Sequence, residues 1–142
     1  MLPCGGYYCY CLRYKGELTG LTASVFTAVS MSPPLVFVCP NYNSDTYPVL
    51  TQGKRFAINI LASDQAGPAF AFAKKGEAKA KAIQDIAVRE GKTGVPIIQG
   101  SVATIECSLW NEYDGGGHAI LVGKVEHIHL DQDSAPLGFA PK

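Results

Sequence analysis

Residues 19–34 read TGLTASVFTAVSMSPP, and the way this stretch pairs decides the fold. Successive side chains on a β-strand point to opposite faces. The odd positions Leu21, Ala23, Val25 and Val29 are apolar, with Thr27 the exception. The even positions are Gly20, Thr22, Ser24, Phe26, Ala28 and Ser30. The first set is a candidate core face. The second has no Lys, Arg, Asp or Glu, so it is not an ordinary solvated surface, and something must cover it. The spacing predicts one strand over 19–30, stopped by Pro33-Pro34.

Working outward, YYCYCLRY (7–14) is a strand closed by Lys15-Gly16, which makes a hairpin with 19–30. LVFVC (35–39) is a short apolar run buried on both faces. PNYNSDTYP (40–48) is full of turn formers, and RFAINIL (55–61) is the next strand. Residues 63–87 change to Ala- and Lys-rich helical character, capped by Ser63 or Asp64 and split into two helices at Gly76. Lys74, Lys75, Lys79 and Lys81 read as a solvated face, with phosphate binding as the rival reading. EGKTGVPIIQG (90–100) reads as loop. From 101 to 113, Ala103, Ile105, Cys107 and Leu109 face one way and Thr104, Glu106, Ser108 and Glu112 the other. DGGG (114–117) turns the chain into a last strand over 119–130. Six strands joined by hairpins and one helical crossover predict a mainly β, antiparallel barrel with short helices inserted in the middle of the chain.

The 142 residues fit a single domain spanning 1–142. Lys+Arg and Asp+Glu are both 12, which removes any bulk electrostatic case for nucleic acid or an anionic membrane. Charged residues are only 17% of the chain and hydrophobic ones 47%, a balance that points to surface hidden by a second subunit or a ligand. Residues 1–12 lack the features of a secretory signal, and no apolar run is long enough to span a bilayer. Five cysteines, an odd count without export features, predict reduced thiols and a cytoplasmic location. Cys9 and Cys11 form C-x-C, which leaves a metal site two ligands short and reads as structural.

The G-x-G-x-x-G, Walker and G-x-S-x-G patterns are absent. His127, His129 and Asp131 share a strand face. They read either as a metal trio or, since no fourth ligand is in sight, as solvation of an exposed strand end; no metal is expected. Two features carry more chemistry. Thr22, Ser24 and Ser30 run into Asn41, Asn43, Ser44 and Thr46, neutral groups suited to a phosphate but equally able to face solvent. His118 follows three glycines, positioned either to reach into a cleft or to decorate a turn.

The segments GLTASVFTAVSMSPPLVFVC, NYNSDTYPVL, RFAINIL, GVPIIQGSVATIEC and EYDGGGHAILVGKVEHI, in this order and spacing, resemble the flavin reductase-like family of FMN-binding split barrels. This family includes the reductase components of two-component flavin monooxygenases. The resemblance implies a six-stranded Greek-key barrel that forms a homodimer and holds FMN or FAD in an outer groove. It implies that Thr22, Ala23, Ser24 and Val25 line the flavin ring and ribityl chain, that Ser30 lies near the ribityl or phosphate end, and that Asn41, Asn43, Ser44 and Thr46 approach the phosphate. His118 matches the family histidine beside flavin and nicotinamide. Pro40 and Asp45 depart from the family pattern, which usually has an aliphatic residue at the first and a neutral or basic residue at the second. The function implied is an NADH- or NADPH-dependent flavin reductase that supplies reduced flavin to a monooxygenase. The rivals are an FMN-binding module without nicotinamide turnover and, fitting the motifs less well, a pyridoxine-type oxidase.

Overall fold

The computed structural model describes residues 8–23 and 26–130. Strands β1 (Tyr8–Tyr14) and β2 (Glu17–Ala23) form the expected hairpin. Its two turn residues, Lys15 and Gly16, have φ of 53° and 84°, the pair of positive angles that a type I′ turn requires. Then follow β3 (Phe26–Met31), β4 (Pro34–Val38), α1 (Tyr47–Gly53) and β5 (Arg55–Ile60). Helices α2 (Ala66–Ala73) and α3 (Gly76–Ala82) come next, then a 3₁₀ turn (Ile83–Asp85). The chain continues through β6 (Val88–Glu90), β7 (Pro96–Ile98), β8 (Ala103–Asp114) and β9 (Ala119–Leu130). No described helix is long and apolar enough to cross a membrane.

Seven strands make one antiparallel sheet in the order β2-β1-β5-β8-β9-β4-β3, and β6 and β7 pair separately. The expected count of six is corrected to seven, because the stretch read as one strand is two. Its halves, β2 and β3, occupy opposite edges of the sheet. Laid flat, those edges would be about 29 Å apart. Ala23 and Phe26 are only three Cα steps apart, a reach of about 11 Å. The sheet therefore curls until its edges meet, and the rings of Tyr8 on β1 and Phe26 on β3 touch across the closure with centroids 5.5 Å apart.

Dividing the strand also shifts its inside-outside frame. Leu21 and Ala23 face the barrel core as expected, but on β3 the core contact is Phe26, and Val29 is 51% exposed. A bulge between Ala28 and Ser30 shifts the frame again. The interior is filled by Tyr10, Leu12, Val38, Leu50, Phe56, Ile58 and Leu121. A second core lies outside the barrel wall, where Cys9, Cys11, Leu61, Phe72, Ile83 and Ile98 pack under the helices. β1 is thus buried on both faces. Burial pushes the Cys9 thiol up to about 12 and raises Cys11 further, so both behave as packing groups.

Three local readings are corrected. Residues 40–48 are not all turn: Tyr47 opens α1, with Pro48 in its first turn, where a missing N–H costs no hydrogen bond. The residue preceding α2 is Gln65, rather than Ser63 or Asp64; its amide accepts from Ala62 N–H and donates to Gln99 O, both at 2.8 Å. The segment 90–100 is not simple loop: β6 and β7 form a hairpin, β7 lies against β1 and β5, and the turn residues Lys92 and Thr93 reach over Glu106 on β8. That cover buries Thr104 and Glu106, which alternation alone put on a solvated face.

Candidate functional site

An open cleft of about 460 Å³ lies between the end of β2, the segment 39–45, the α2–α3 junction and His118. Its lining includes Thr22, Ala23, Asn41, Asn43, Ser44 and His118, six of the ten residues expected at the site. Ser24 and Val25 lie outside the described residues. Ser30 stands on β3 and does not line the cleft. Thr46 does not line it either. Fully buried, it donates to Gly20 O at 2.7 Å and anchors the turn from beneath. Its hydroxyl, read as a ligand group, is a structural one.

The segment 41–46 is shaped by its own short side chains. Asn41 Oδ1 accepts from Asn43 N–H at 2.8 Å, and Ser44 Oγ from Thr46 N–H at 3.1 Å. These are the local side-chain to backbone turns that Asn and Ser favour. An isolated bridge joins Asn41 to His118. Tyr42 reinforces it, donating its hydroxyl to Asp114 at 2.7 Å, while Tyr47 bonds Glu112. The Asp114 bond, with burial and the nearby carboxylates, pushes the Tyr42 hydroxyl up to about 12, so it stays a donor. Gly116, at φ 84°, lets the 114–117 turn fold back and deliver His118 to the cleft wall. The His118 side chain is exposed, and no described residue hydrogen-bonds its ring.

The floor is less polar than the strand pattern implied. Thr22 commits its hydroxyl proton to Ala69 O at 2.6 Å, tying β2 to α2. Ala23, Phe72 and Ala73 add apolar surface. Cys39 also lines the cleft, and burial raises its thiol, so it is not a poised thiolate.

The lysines at the α2–α3 junction, for which the sequence favours a solvated face and leaves phosphate binding as the rival, stand at the cleft. Lys74 and Lys75, read as a solvated face, line the cleft and are exposed. Neither is among the ion pairs of the described residues, so their charge is available to a ligand. Lys79 differs. It is 4% exposed, and its Nζ donates to Gly20 O (2.6 Å), Asp45 Oδ1 (2.7 Å) and Thr46 Oγ1 (3.1 Å). Asp45, the unexpected acid here, is thereby neutralised and also accepts from Gly76 N–H at 3.0 Å. Burial alone would raise its carboxyl; the Gly76 bond and the Lys79 charge outweigh that and hold it below the usual value. The interruption KKGEAK was the available signal, since a break between two helices exposes the flanking side chains.

The site thus has an apolar floor with small side chains, a rim of Asn and Ser, two free cations and one imidazole. That set suits a flat, partly apolar ring carrying an anionic tail.

Comparison with known proteins agrees. Residues 4–142 match the family model described as a flavin reductase like domain. A flavin reductase of Pseudomonas putida is 33% identical over 87% of this chain and 71% of its own length. A flavin-dependent monooxygenase reductase subunit of Rhodococcus jostii is 32% identical over 87% of this chain and 62% of its own. The solved structure of a Streptomyces globisporus NADH:FAD oxidoreductase, in complex with NAD and FAD fragments, superposes with a TM-score of 0.85 at 30% identity, covering 96% of this chain and 86% of that one. Fold, cleft and sequence agree that the chain belongs to the flavin reductase-like domain family.

Proposed function

We propose that this protein is an NAD(P)H-dependent flavin reductase, using NADH or NADPH to reduce FMN or FAD. The observation that carries the reading is the convergence of Ala23, Asn41, Asn43, Ser44, His118, Lys74 and Lys75 on one cleft. Bound flavin and nicotinamide supply the redox chemistry, a hydride passing from nicotinamide C4 to flavin N5. The chain's own part is positioning. Asn43, Ser44, Lys74 and Lys75 hold the phosphate. Ala23, with Ser24 and Val25 by family likeness, leaves room for a ring against β2. His118 orients the nicotinamide or the polar edge of the flavin by hydrogen bonding. A strong general base is not required, because hydride transfer depends on orientation.

The same reading extends to the assembly. Val29, Met31, Trp110, Tyr113, Ile128 and Leu130 are each more than half exposed, which supports a homodimer that covers part of this surface. The likeness to a monooxygenase reductase subunit supports release of reduced flavin to a partner oxygenase. Free thiols at Cys9, Cys11, Cys39 and Cys107 support a reducing, cytoplasmic setting, and the match over 4–142 supports a single domain spanning 1–142.

The test is flavin-dependent oxidation of NADH and NADPH, followed by loss of nicotinamide absorbance with FMN and with FAD. Turnover that requires added flavin supports the reading. Tight flavin binding without nicotinamide oxidation would overturn it in favour of a flavin-binding module.

A further inference from the structure

On β9, His127 and His129 stand two residues apart and so share a face, alternating with the exposed Glu126, Ile128 and Leu130. Asp131, the third member of the conceivable trio in the sequence, where no metal is expected, lies outside the described residues. The fold brings another group to the same place. Glu106 on β8 is the cross-strand partner of His127, and Thr104 of His129. Ligand atoms of Glu106, His127 and His129 all lie within 4.8 Å of one another. We propose that these three residues form a binding site for a divalent transition metal ion of the zinc class, outside the barrel and apart from the flavin cleft.

Two histidines and one carboxylate are a donor set suited to zinc, with the fourth position left to water. Ligands about 2.0–2.1 Å from a tetrahedral ion stand roughly 3.3 Å from each other. The His129 Nε2 to Glu106 Oε2 distance is 2.5 Å, so this pair must open slightly and the widest pair must close, each by on the order of 1 Å of side-chain movement. His127 and His129 are only half-buried and have that freedom, and they leave a path from solvent.

Glu106 is held in place for such a role. It is fully buried, and Oε1 accepts Thr93 N–H (2.7 Å) and Thr93 Oγ1–H (2.6 Å). Oε2 accepts Lys92 N–H (3.0 Å) as well as His129. Backbone donors of this kind fix a ligating carboxylate and keep it ionised. They also satisfy Glu106 without a metal, so the case rests on His127. No described residue hydrogen-bonds its ring, yet the ring turns toward the site, 4.4 Å from that of His129.

The surroundings of His129 supply a second test. A carboxylate only accepts, so the ring presents a proton at Nε2. Nδ1 faces the Arg89 guanidinium at 3.4 Å. A metal on Nε2 leaves the ring proton on Nδ1, facing a donor. Arg89 is exposed and can swing away, but it opposes the ion both by charge and by hydrogen bonding. Removing it should favour the metal.

The experiment is calorimetric titration of chelator-treated full-length protein with zinc chloride, together with visible spectra after adding cobalt(II). The expected result is one equivalent bound and a cobalt spectrum without thiolate charge transfer. His127→Ala should weaken zinc at least tenfold with apo stability close to wild type, and Arg89→Ala should bind at least as tightly as wild type. His118→Ala, at the only other histidine, should not change zinc binding. Absence of zinc binding, thiolate bands from cysteine ligation, or equal affinity of wild type and His127→Ala would each overturn the site. So would unchanged affinity in a Glu106→Gln variant shown to be folded by circular dichroism.

Discussion

Asn41 and His118 are joined backbone to backbone by an isolated antiparallel bridge. On one side Ala119 N–H donates to Pro40 O at 2.9 Å, and on the other Tyr42 N–H donates to Gly117 O at 3.3 Å. The polar segment 41–46 and the histidine after the glycine turn are 70 or more residues apart in sequence, yet this bridge makes them one wall of one cleft. Pro40, which departs from the family pattern, contributes through its carbonyl, which a proline retains.

From this wall follows the first prediction. His118→Ala leaves the bridge intact, because the bridge is made by backbone. It removes only the imidazole. The rate over Michaelis constant for the nicotinamide should fall roughly tenfold to a hundredfold, the equivalent of about 1–3 kcal/mol for one positioning group. Flavin affinity should change less. Complete loss of turnover would mean that an obligatory proton transfer runs through this ring; unchanged steady-state kinetics would remove His118 from the site.

Lys79 gives the second. Its ammonium is enclosed by Gly20 O, Asp45 and Thr46, and it ties α3, β2 and the 45–46 turn together. Lys79→Met keeps most of the packing and leaves the three acceptors without their donor. The side chain of Asp45 is 41% exposed, so water rescues it in part. The expected cost is about 2 kcal/mol, less than for breaking a fully buried pair. Thermal unfolding should move down by roughly 4–8 °C. An unshifted Tm would show that the latch contributes nothing net.

Asp45 gives the third, with the sign fixed by its depressed carboxyl. A folded-state value below the unfolded one means that the stabilisation is fully present above the unfolded value and is lost as pH falls through the folded one. Neutral and mildly acidic solutions should show no contribution to the pH slope from this group. Below about pH 4, near the ordinary Asp value, wild type should lose stability more steeply than Asp45→Asn. Denaturant midpoints measured across that range check this; parallel curves would exclude the linkage.

Much of this arrangement was legible in the sequence where the signal is local. The β1–β2 hairpin follows from alternation and from Lys15-Gly16, and the two helices from Ala-rich sequence broken at Gly76. Division of the 19–30 stretch was not legible, because barrel closure, a tertiary event, separates β2 from β3 and resets which residues face inward. Glu106 read as solvated because its cover, Lys92 and Thr93, sits in a hairpin whose strands are three residues each, too short for periodicity to register. Thr46 carries the same hydroxyl as a ligand would, and only its position above Lys79 shows that it serves the fold. Lys74 and Lys75 read as surface because an Ala/Lys pattern is the same whether the lysines face bulk water or a cleft.

Those two lysines carry the last prediction. They are the free cations on the cleft wall, since the charge of Lys79 is matched by Asp45. If a flavin phosphate lies at this end, replacing both with Ala removes two exposed charge interactions of about 0.5–1 kcal/mol each. FMN affinity should then weaken roughly tenfold at low salt, an amount that shrinks as ionic strength rises and screens what the wild type retains. Riboflavin, which has the same ring and ribityl chain but no phosphate, should bind both proteins equally. Fluorescence titration of FMN and riboflavin at two salt concentrations separates the outcomes. An equal loss for both ligands would mean that the substitutions disturb the α2–α3 junction itself. No loss for FMN would move the phosphate away from the lysines and leave Asn43 and Ser44 to hold it by neutral hydrogen bonds.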